Sequence, residues 1–434
     1  MSPVETLSPV LHLGAAELRQ LALAAGADDT GCVRLDHPGL DDQRADILGF
    51  YPRTRSLLSI VCRMNREPIR TPARSVANSE FHRTGEWVNE VAHRIVAALE
   101  RRGIRAINPP MGFPMEADRW PDKMWVISHK PVAVAAGLGR MGIHRNVIHP
   151  KFGNFILLAT VLLEADVDES AKPLDFSPCL NCMLCVAACP VGAVKPDGGF
   201  DFSACYHHNY REFMGGFGDW VEQVAESRNR ADYRRRVTPA ETVSMWQSLG
   251  FGPNYKAAYC LAVCPAGEDV IAAYRTDKGR HVREVVKPLQ EKTEPVYVIR
   301  GSDAEAHVKK RYPHKQVRPI RNNLYAASAR SLLRGMRLTF QSGPAAGLDA
   351  TFHFILQEEG KLVPVEATVG IRQQKITVRE GLHEKADVTV RADAETWLRF
   401  VRGDTGIVGA LLRRKVRVSG PIRLLQAFGR CFPK

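Results

Sequence analysis

Cys179, Cys182, Cys185 and Cys189 are spaced C-x2-C-x2-C-x3-C with Pro190 closing the run, and Cys260, Cys264 and Pro265 repeat its second half. Thiolates in this spacing ligate iron–sulfur clusters, the fourth cysteine of the run serving a different cluster from the first three. Short two-residue spacers let one turning segment deliver three sulfurs, and the proline ends any local helix. Structural zinc also takes thiolates, but usually as two separated pairs rather than a tight series. The chemistry implied is electron transfer.

Seven of the ten cysteines lie between positions 179 and 264, which suits reduced thiolates holding metal better than a disulfide framework. Cys32, Cys62 and Cys431 stand alone in apolar surroundings and are expected to be buried structural thiols. The last four residues, CFPK, have the length of a prenylation box but the wrong composition. At 434 residues, 45% hydrophobic and 25% charged, the chain can form two or three domains with full cores. It contains no apolar run long enough to predict a membrane span and no N-terminal secretion signal, so a cytoplasmic protein without a transmembrane segment is expected. The net charge of +13 admits a polyanion partner, nucleic acid included, without favouring one. Its densest runs, residues 228–236 (RNRADYRRR) and 309–321 (KKRYPHKQVRPIR), read most simply as a solvated helix face or basic linker.

Elements must hold the thiolates in place. Leu18, Leu21, Ala22 and Ala25 recur at helical spacing and stop at Gly26, before a short apolar segment about Cys32 and Val33. Residues 57–62 (LLSIVC) and 155–163 (FILLATVLL) predict buried strands, the second one central. Trp87, Val88, Val91, Ile95 and Leu99 mark one helix face running to about Glu100, with Gly103 beyond. Residues 131–139 (PVAVAAGLG) predict a helix end and a Gly-rich turn. The cysteine block includes an insertion with a basic helix and the aromatic-rich residues 213–220; a strand at 296–300 and a helix ending near Lys310 are expected to pack back on the first domain. From about Asn323 the composition changes. Residues 352–356, 363–369, 375–379 and 387–391 predict strands, followed by a helix capped by Asp393 and closed by Gly403. A second helix at 407–412, a strand at 416–418 and a terminal helix at 422–428 complete a separate α+β domain.

Residues 136–163 (AGLGRMGIHRNVIHPKFGNFILLATVLL), the cysteine run and residues 201–205 (DFSAC) together resemble epoxyqueuosine reductases, an architecture shared with reductive dehalogenases. The resemblance covers roughly residues 10 to 315. It implies a flavin-reductase-like α/β core able to bind cobalamin and a two-cluster ferredoxin-like module, fed by an electron donor such as a flavodoxin or ferredoxin. Carried onto this chain, Cys179, Cys182, Cys185 and Cys264 would hold a first 4Fe-4S cluster, and Cys189, Cys205 and Cys260 a second. The family's closing motif has a further cysteine three residues before Cys260, where this chain has Ala257. Three thiolates suit a 3Fe-4S cluster or a 4Fe-4S cluster with an open iron; alternatively a non-cysteine ligand fills the gap, His207 and His208 being the nearest imidazoles. Gly137, Gly139 and Gly142 would let backbone approach a corrinoid, and Arg140, His144 and Arg145 would meet its polar groups; a structural turn is the other reading. The family's upstream aspartate has no clean counterpart in residues 122–130 (DKMWVISHK), where Asp122 and His129 are the candidate proton donors.

Residues 386–404 and 415–428 resemble the sterol carrier protein type 2 (SCP2) fold, which implies an apolar tunnel for acyl chains or sterols. Trp397, Phe400, Leu411 and Leu424 would line the tunnel or fill a core. The expected architecture is α+β multidomain: an α/β core at 1–170, a ferredoxin-like module at 171–270, a return segment and basic linker at 271–322, and an SCP2-like domain at 323–434. Three functions follow: a corrinoid-dependent iron–sulfur reductase of a hydrophobic small molecule, a non-catalytic electron carrier with a lipid-binding domain, or a tRNA-modifying reductase.

Overall fold

The computed structural model describes residues 11–117, 124–406 and 414–434. Ser56–Arg63 and Ile156–Leu163 are buried almost throughout and pair antiparallel at the centre of a four-stranded sheet. Asp29–Arg34 and the short Ala106–Ile107 flank them, also antiparallel. Period-two alternation gives the central strands two apolar faces. Leu58, Ile60 and Cys62 meet the helices Ala15–Ala25 and Arg74–Glu100, while Leu57 and Val61 meet Asp41–Phe50 and His129–Ala135. The result is a sheet with helices on both faces. Gly26, at φ 112, ends the first helix as expected. Trp87 departs from its expected buried face: it is 40% exposed and lies over Gly26, its indole N–H donating to the Gly26 carbonyl.

Beyond the sheet the chain becomes helical. Leu184–Ala188, Phe202–Asn209 and Tyr259–Ala262 carry Cys185, Cys205 and Cys260. The insertion folds as Gly215–Glu226, Arg230–Arg236 and Pro239–Phe251, with Thr238 and Glu241 closing a capping box on the last. The basic run 228–236 is a short helix with no buried residue, as its plainer reading implies. The second basic run differs. Lys315 is buried, its ammonium bonded to the Leu289 and Lys292 carbonyls and to Glu294. Glu294 also accepts from the Tyr259 hydroxyl at 2.9 and 2.8 Å, so this network anchors the helix bearing Cys260. Pro295–Ile299 and Gln316–Ile320 form a two-stranded parallel sheet joined through Asp303–Arg311. That unit leans on the Phe202–Asn209 helix and shares one continuous core with the first sheet.

The terminal domain is a five-stranded sheet ordered Lys375–Glu380, Val365–Arg372, Ala350–Gln357, Val388–Asp393, Val416–Ser419. Ala350–Gln357 runs parallel to Val388–Asp393, and the other neighbours are antiparallel. Asp393 caps Ala394–Arg402 and Gly403 closes it in the left-handed region, both as expected. The expected helix at 407–412 lies outside the described residues. Ala329–Thr339, started by Ser328, is a helix the sequence reading passed over.

Candidate iron–sulfur sites

Cys179, Cys182, Cys185 and Cys264 line one pocket, with His144 on its wall. Asn181 and Met183, at φ 49 and 60, take the left-handed conformation that turns the loop's thiols inward. Cys264 is brought in by a close backbone approach. A Cβ on Gly153 would lie 2.1 Å from the Ala266 carbonyl, and one on Gly267 would lie 2.3 Å from the Gly153 nitrogen. Burial pushes the Cys185 and Cys264 thiols up to about 12, so metal loading has to displace their protons. A tetrahedral zinc would hold its sulfurs about 3.8 Å apart. Among the described residues no three His, Cys, Asp or Glu side chains close on a single ion, and these four sulfurs instead surround a space. The donor set and its arrangement around one pocket fit a polynuclear cluster. His144 is not free to join it: Nδ1 accepts from the Asn146 amide at 3.1 Å and Nε2 faces the Asn154 amide at 3.3 Å.

Cys189, Cys205 and Cys260 make a second set, each lying close enough to another to raise its thiol pKa. Backbone amides of residues 191–194 point at the Cys189 sulfur, the Ala193 amide at 3.2 Å. Such amides stabilise a thiolate. Two turns prove to be copies. Met183 (φ 60) precedes the Leu184–Ala188 helix with Cys185 two residues on, and Ala258 (φ 54) precedes Tyr259–Ala262 with Cys260 two residues on. The residue before the left-handed turn is Cys182 in one copy and Ala257 in the other. The ligand position is therefore kept in the backbone and lost in the side chain. Asn209, one helical turn after Cys205, fixes that segment: its carbonyl accepts from the Lys256 amide and its Oδ1 from the Ala257 amide at 3.0 Å.

Of the two candidate histidines, His207 is committed to the backbone: Nδ1 donates to the Ser203 carbonyl at 2.7 Å and Nε2 accepts from the Asn323 amide at 3.3 Å. His208 Nδ1 accepts from the Tyr297 amide at 3.3 Å, and its Nε2 is buried without a hydrogen-bond partner among the described residues, beside Glu294, Lys256 and Lys315. Burial lowers both to about 4 and keeps them neutral.

Cys205, Cys260, Tyr210 and Lys130 keep accessible surface, yet desolvation is the largest influence on all four. Tyr210 and Lys130 both interact electrostatically with Cys205 and Cys260, which places them near the second set. Aromatic rings cluster beside Tyr210: Tyr210 to Phe213 at 4.9 Å, Phe213 to Tyr255 at 5.0 Å, Tyr255 to Phe81 at 5.0 Å and Phe213 to Phe113 at 6.1 Å. Lys130 gives two donors to the Arg145 carbonyl and Asn146 Oδ1, at 2.8 and 3.1 Å, and has a third left. No motif marked Lys130, Tyr210, Tyr255 or Asn209 in the sequence; their one signal was proximity to the cysteines and to the Gly-rich turn.

The residues expected to cradle a corrinoid are mostly spent on the chain itself. A Cβ on Gly137, Gly139 or Gly142 would strike the Lys172 carbonyl, the Ile148 carbonyl or the His144 ring within 2.8 Å. Arg140 bonds the Leu174 carbonyl. Of the six, Arg145 alone stays exposed beside Lys130. As it stands this set does not form a corrinoid cradle. His129 is buried between Thr160 Oγ1 at 2.9 Å and the Pro110 carbonyl at 3.1 Å, and burial lowers it to about 4. It is a structural imidazole rather than a proton donor. Asp122 lies outside the described residues.

In the terminal domain Trp397 is buried against Phe354 and Phe400, with ring centroids 6.0 and 5.4 Å away, and Leu424 is partly buried on the same core. Leu411 lies outside the described residues. The Trp397 indole N–H is buried without a hydrogen-bond partner among the described residues.

Residues 341–433 match the SCP-2 sterol transfer family, and residues 173–195 match the 4Fe-4S binding domain. An epoxyqueuosine reductase of a Synechococcus species is 32% identical over 118 residues, covering 26% of this chain and 34% of that protein. The epoxyqueuosine reductase of Gloeobacter violaceus is 27% identical over 187 residues, covering 43% and 54%. The matched stretches thus span about a third to about half the length of these curated relatives. Among solved structures a catabolic reductive dehalogenase aligns with TM-score 0.38 and 15% identity over 68% of this chain and 37% of its own. The resemblance to epoxyqueuosine reductases, the 4Fe-4S module and the SCP2 domain expected from the sequence are all found, in one chain.

Proposed function

We propose that this chain is an iron–sulfur reductase of a hydrophobic small molecule. The observation that carries the reading is the cluster of aromatic rings near the second cysteine set, Tyr210 lying within electrostatic reach of Cys205 and Cys260. Iron–sulfur clusters, when bound, supply single electrons. Cys179, Cys182, Cys185 and Cys264 would hold one cluster, and Cys189, Cys205 and Cys260 the other. The chain's own contribution is to bind, orient and exclude water. The rings of Phe81, Phe213 and Tyr255 hold an apolar body, while the Tyr210 hydroxyl and the Lys130 ammonium can donate to an oxygen on it. Burial raises the Tyr210 phenol and keeps it protonated, so it can donate a hydrogen bond to that oxygen. The terminal domain supports the apolar substrate: its family match is to sterol transfer proteins, and Trp397 presents a buried indole N–H for a ligand's acceptor.

A tRNA substrate is the second reading, favoured by the relatives' activity and by the net charge of +13. A flavodoxin or ferredoxin would serve as electron donor in either case. Three measurements separate the readings. Organic extraction of denatured protein followed by mass spectrometry should yield a lipid or sterol-like molecule. Binding of a tRNA anticodon stem-loop, steeply weakened by salt, would instead support the second reading. Corrinoid dependence is decided by whether cobalamin, identified by its absorbance, is retained after anaerobic loading and gel filtration; none should be retained if the glycine turn serves only this chain's own packing.

A further inference from the structure

We propose that the outer face of the Pro239–Phe251 helix, together with the arginines that precede it, docks the protein on an anionic lipid bilayer. The inference stands on this surface and holds whichever substrate the clusters serve.

The helix is anchored on one side and bare on the other. Thr238 and Glu241 close its capping box, and Glu241 also accepts from the Arg318 guanidinium at 3.1 Å. Met245 and Ser248 are buried on that side. The outer strip is Val243, Trp246, Leu249 and Phe251, which stay 60, 62, 63 and 73% exposed. Steps of three residues make the first three neighbours on the helix surface, and the Trp246 and Phe251 rings meet edge to face at 5.7 Å. Single exposed apolar side chains are ordinary on a protein surface, whereas a continuous strip of this kind marks an interaction site. Residues 242–251 (TVSMWQSLGF) carry no charge at all.

Positive charge gathers where the strip begins. Arg228, Arg230 and Arg234 are exposed, and their guanidinium groups make no ion pair among the described residues, whereas Arg235 and Arg236 pair with Asp232 and Glu226. Tyr233 fixes their helix in place. Its hydroxyl accepts the Trp220 indole N–H at 3.0 Å and lies 2.5 Å from Thr242 Oγ1, beside Val243.

This pairing of chemistries selects a bilayer. Indole, phenyl and aliphatic groups enter the boundary between headgroups and acyl chains, and unpaired guanidiniums meet the phosphates above it. A nucleic acid would use the arginines and leave the rings in water. The terminal domain gives a bilayer a second use, since residues 341–433 match a sterol transfer family and sterols dissolve in membranes. Among the described residues no helix crosses a membrane, so the attachment is peripheral.

The test floats the full chain with vesicles of phosphatidylcholine alone and of phosphatidylcholine mixed with phosphatidylglycerol. The protein should rise with the anionic vesicles, stay behind with the neutral ones, and let go as salt is added. Trp246→Ser with Phe251→Ser should weaken the attachment about tenfold or more. Arg230→Gln with Arg234→Gln should weaken it about thirtyfold at low salt. The four side chains are exposed, so circular dichroism and melting that match the wild type will show each variant to be folded. A wild type that ignores anionic vesicles overturns the proposal, and so does a Trp246→Ser, Phe251→Ser protein that floats as the wild type does. A dimer seen by light scattering without vesicles, and lost in that variant, would assign the strip to a second copy and overturn it. Binding of a tRNA stem-loop that needs the arginines and not the rings, without flotation, would assign the charge to nucleic acid and overturn it as well.

Discussion

Cys264 shows what a family resemblance adds to spacing. The resemblance to epoxyqueuosine reductases implied that it joins the first three cysteines, and it lies 7% exposed on the pocket they line. Replacing it by serine should cut bound iron by about half, since one of two equal clusters loses a corner ligand; iron analysis after anaerobic loading checks this. Spacing said nothing comparable about His129, because whether an imidazole is accessible depends on what packs over it. The pair Thr160 and Pro110 comes from distant parts of the chain. Asp29 was equally invisible. His149 at 3.0 Å and Arg19 at 2.7 Å hold its carboxyl down to about 2 although burial opposes them. A carboxyl lowered on folding adds stability above its unfolded value near 4 and loses it as pH falls towards 2. Asp29→Asn should therefore cost about 2 kcal/mol at neutral pH and nothing near pH 2, measured by denaturant unfolding across that range.

Elements were legible where one periodicity dominated. The runs at 57–62 and 155–163 could hardly be anything but buried strands, and Gly26, Asp393 and Gly403 end or begin helices where their chemistry dictates. Ala329–Thr339 escaped because its apolar face, Leu333 and Met336, is short and interrupted by arginines and a glycine. The Gly-rich turn was located correctly, and of its two readings the structural turn is the one its contacts favour. Glycines that admit a ligand and glycines that admit a neighbouring strand look alike in a sequence, and only the Lys172 and Ile148 carbonyls distinguish them. The run 309–321 hid a buried lysine for a similar reason, since its partner Glu294 lies in a separate strand-leading segment. Lys315→Met leaves Glu294 without its closest cation in the interior and should destabilise the fold by about 3–5 kcal/mol. Because Tyr259 hangs on the same carboxylate, the second cluster should be lost before the first as the variant is warmed, which paramagnetic resonance can follow.

At the scale of the molecule the SCP2 domain sits on the cluster module. Its Ala329–Thr339 helix contacts the Phe202–Asn209 helix, which carries Cys205. Around that contact Asn323 bonds His207 and Gly215, Gln341 bonds the Asp303 amide at 2.8 Å, and the Asp303 carboxylate receives the Ser342 hydroxyl and the Gly343 amide, each at 3.1 Å. Asp303→Ala should loosen this joint, seen as faster proteolytic cleavage between the domains with the first cluster's signal unchanged. The composition change near Asn323 gave no sign of where the terminal domain would sit. Docking is set by a handful of polar groups that no periodicity reveals. Among the described residues no helix is long and apolar enough to cross a membrane.

Cys205 and Cys260 keep part of their residue surface while packing on the main core, and Cys189 is buried. Dioxygen attacks exposed iron–sulfur centres, so a cluster held by this set would be spoiled in air from the side of Cys205 and Cys260 first.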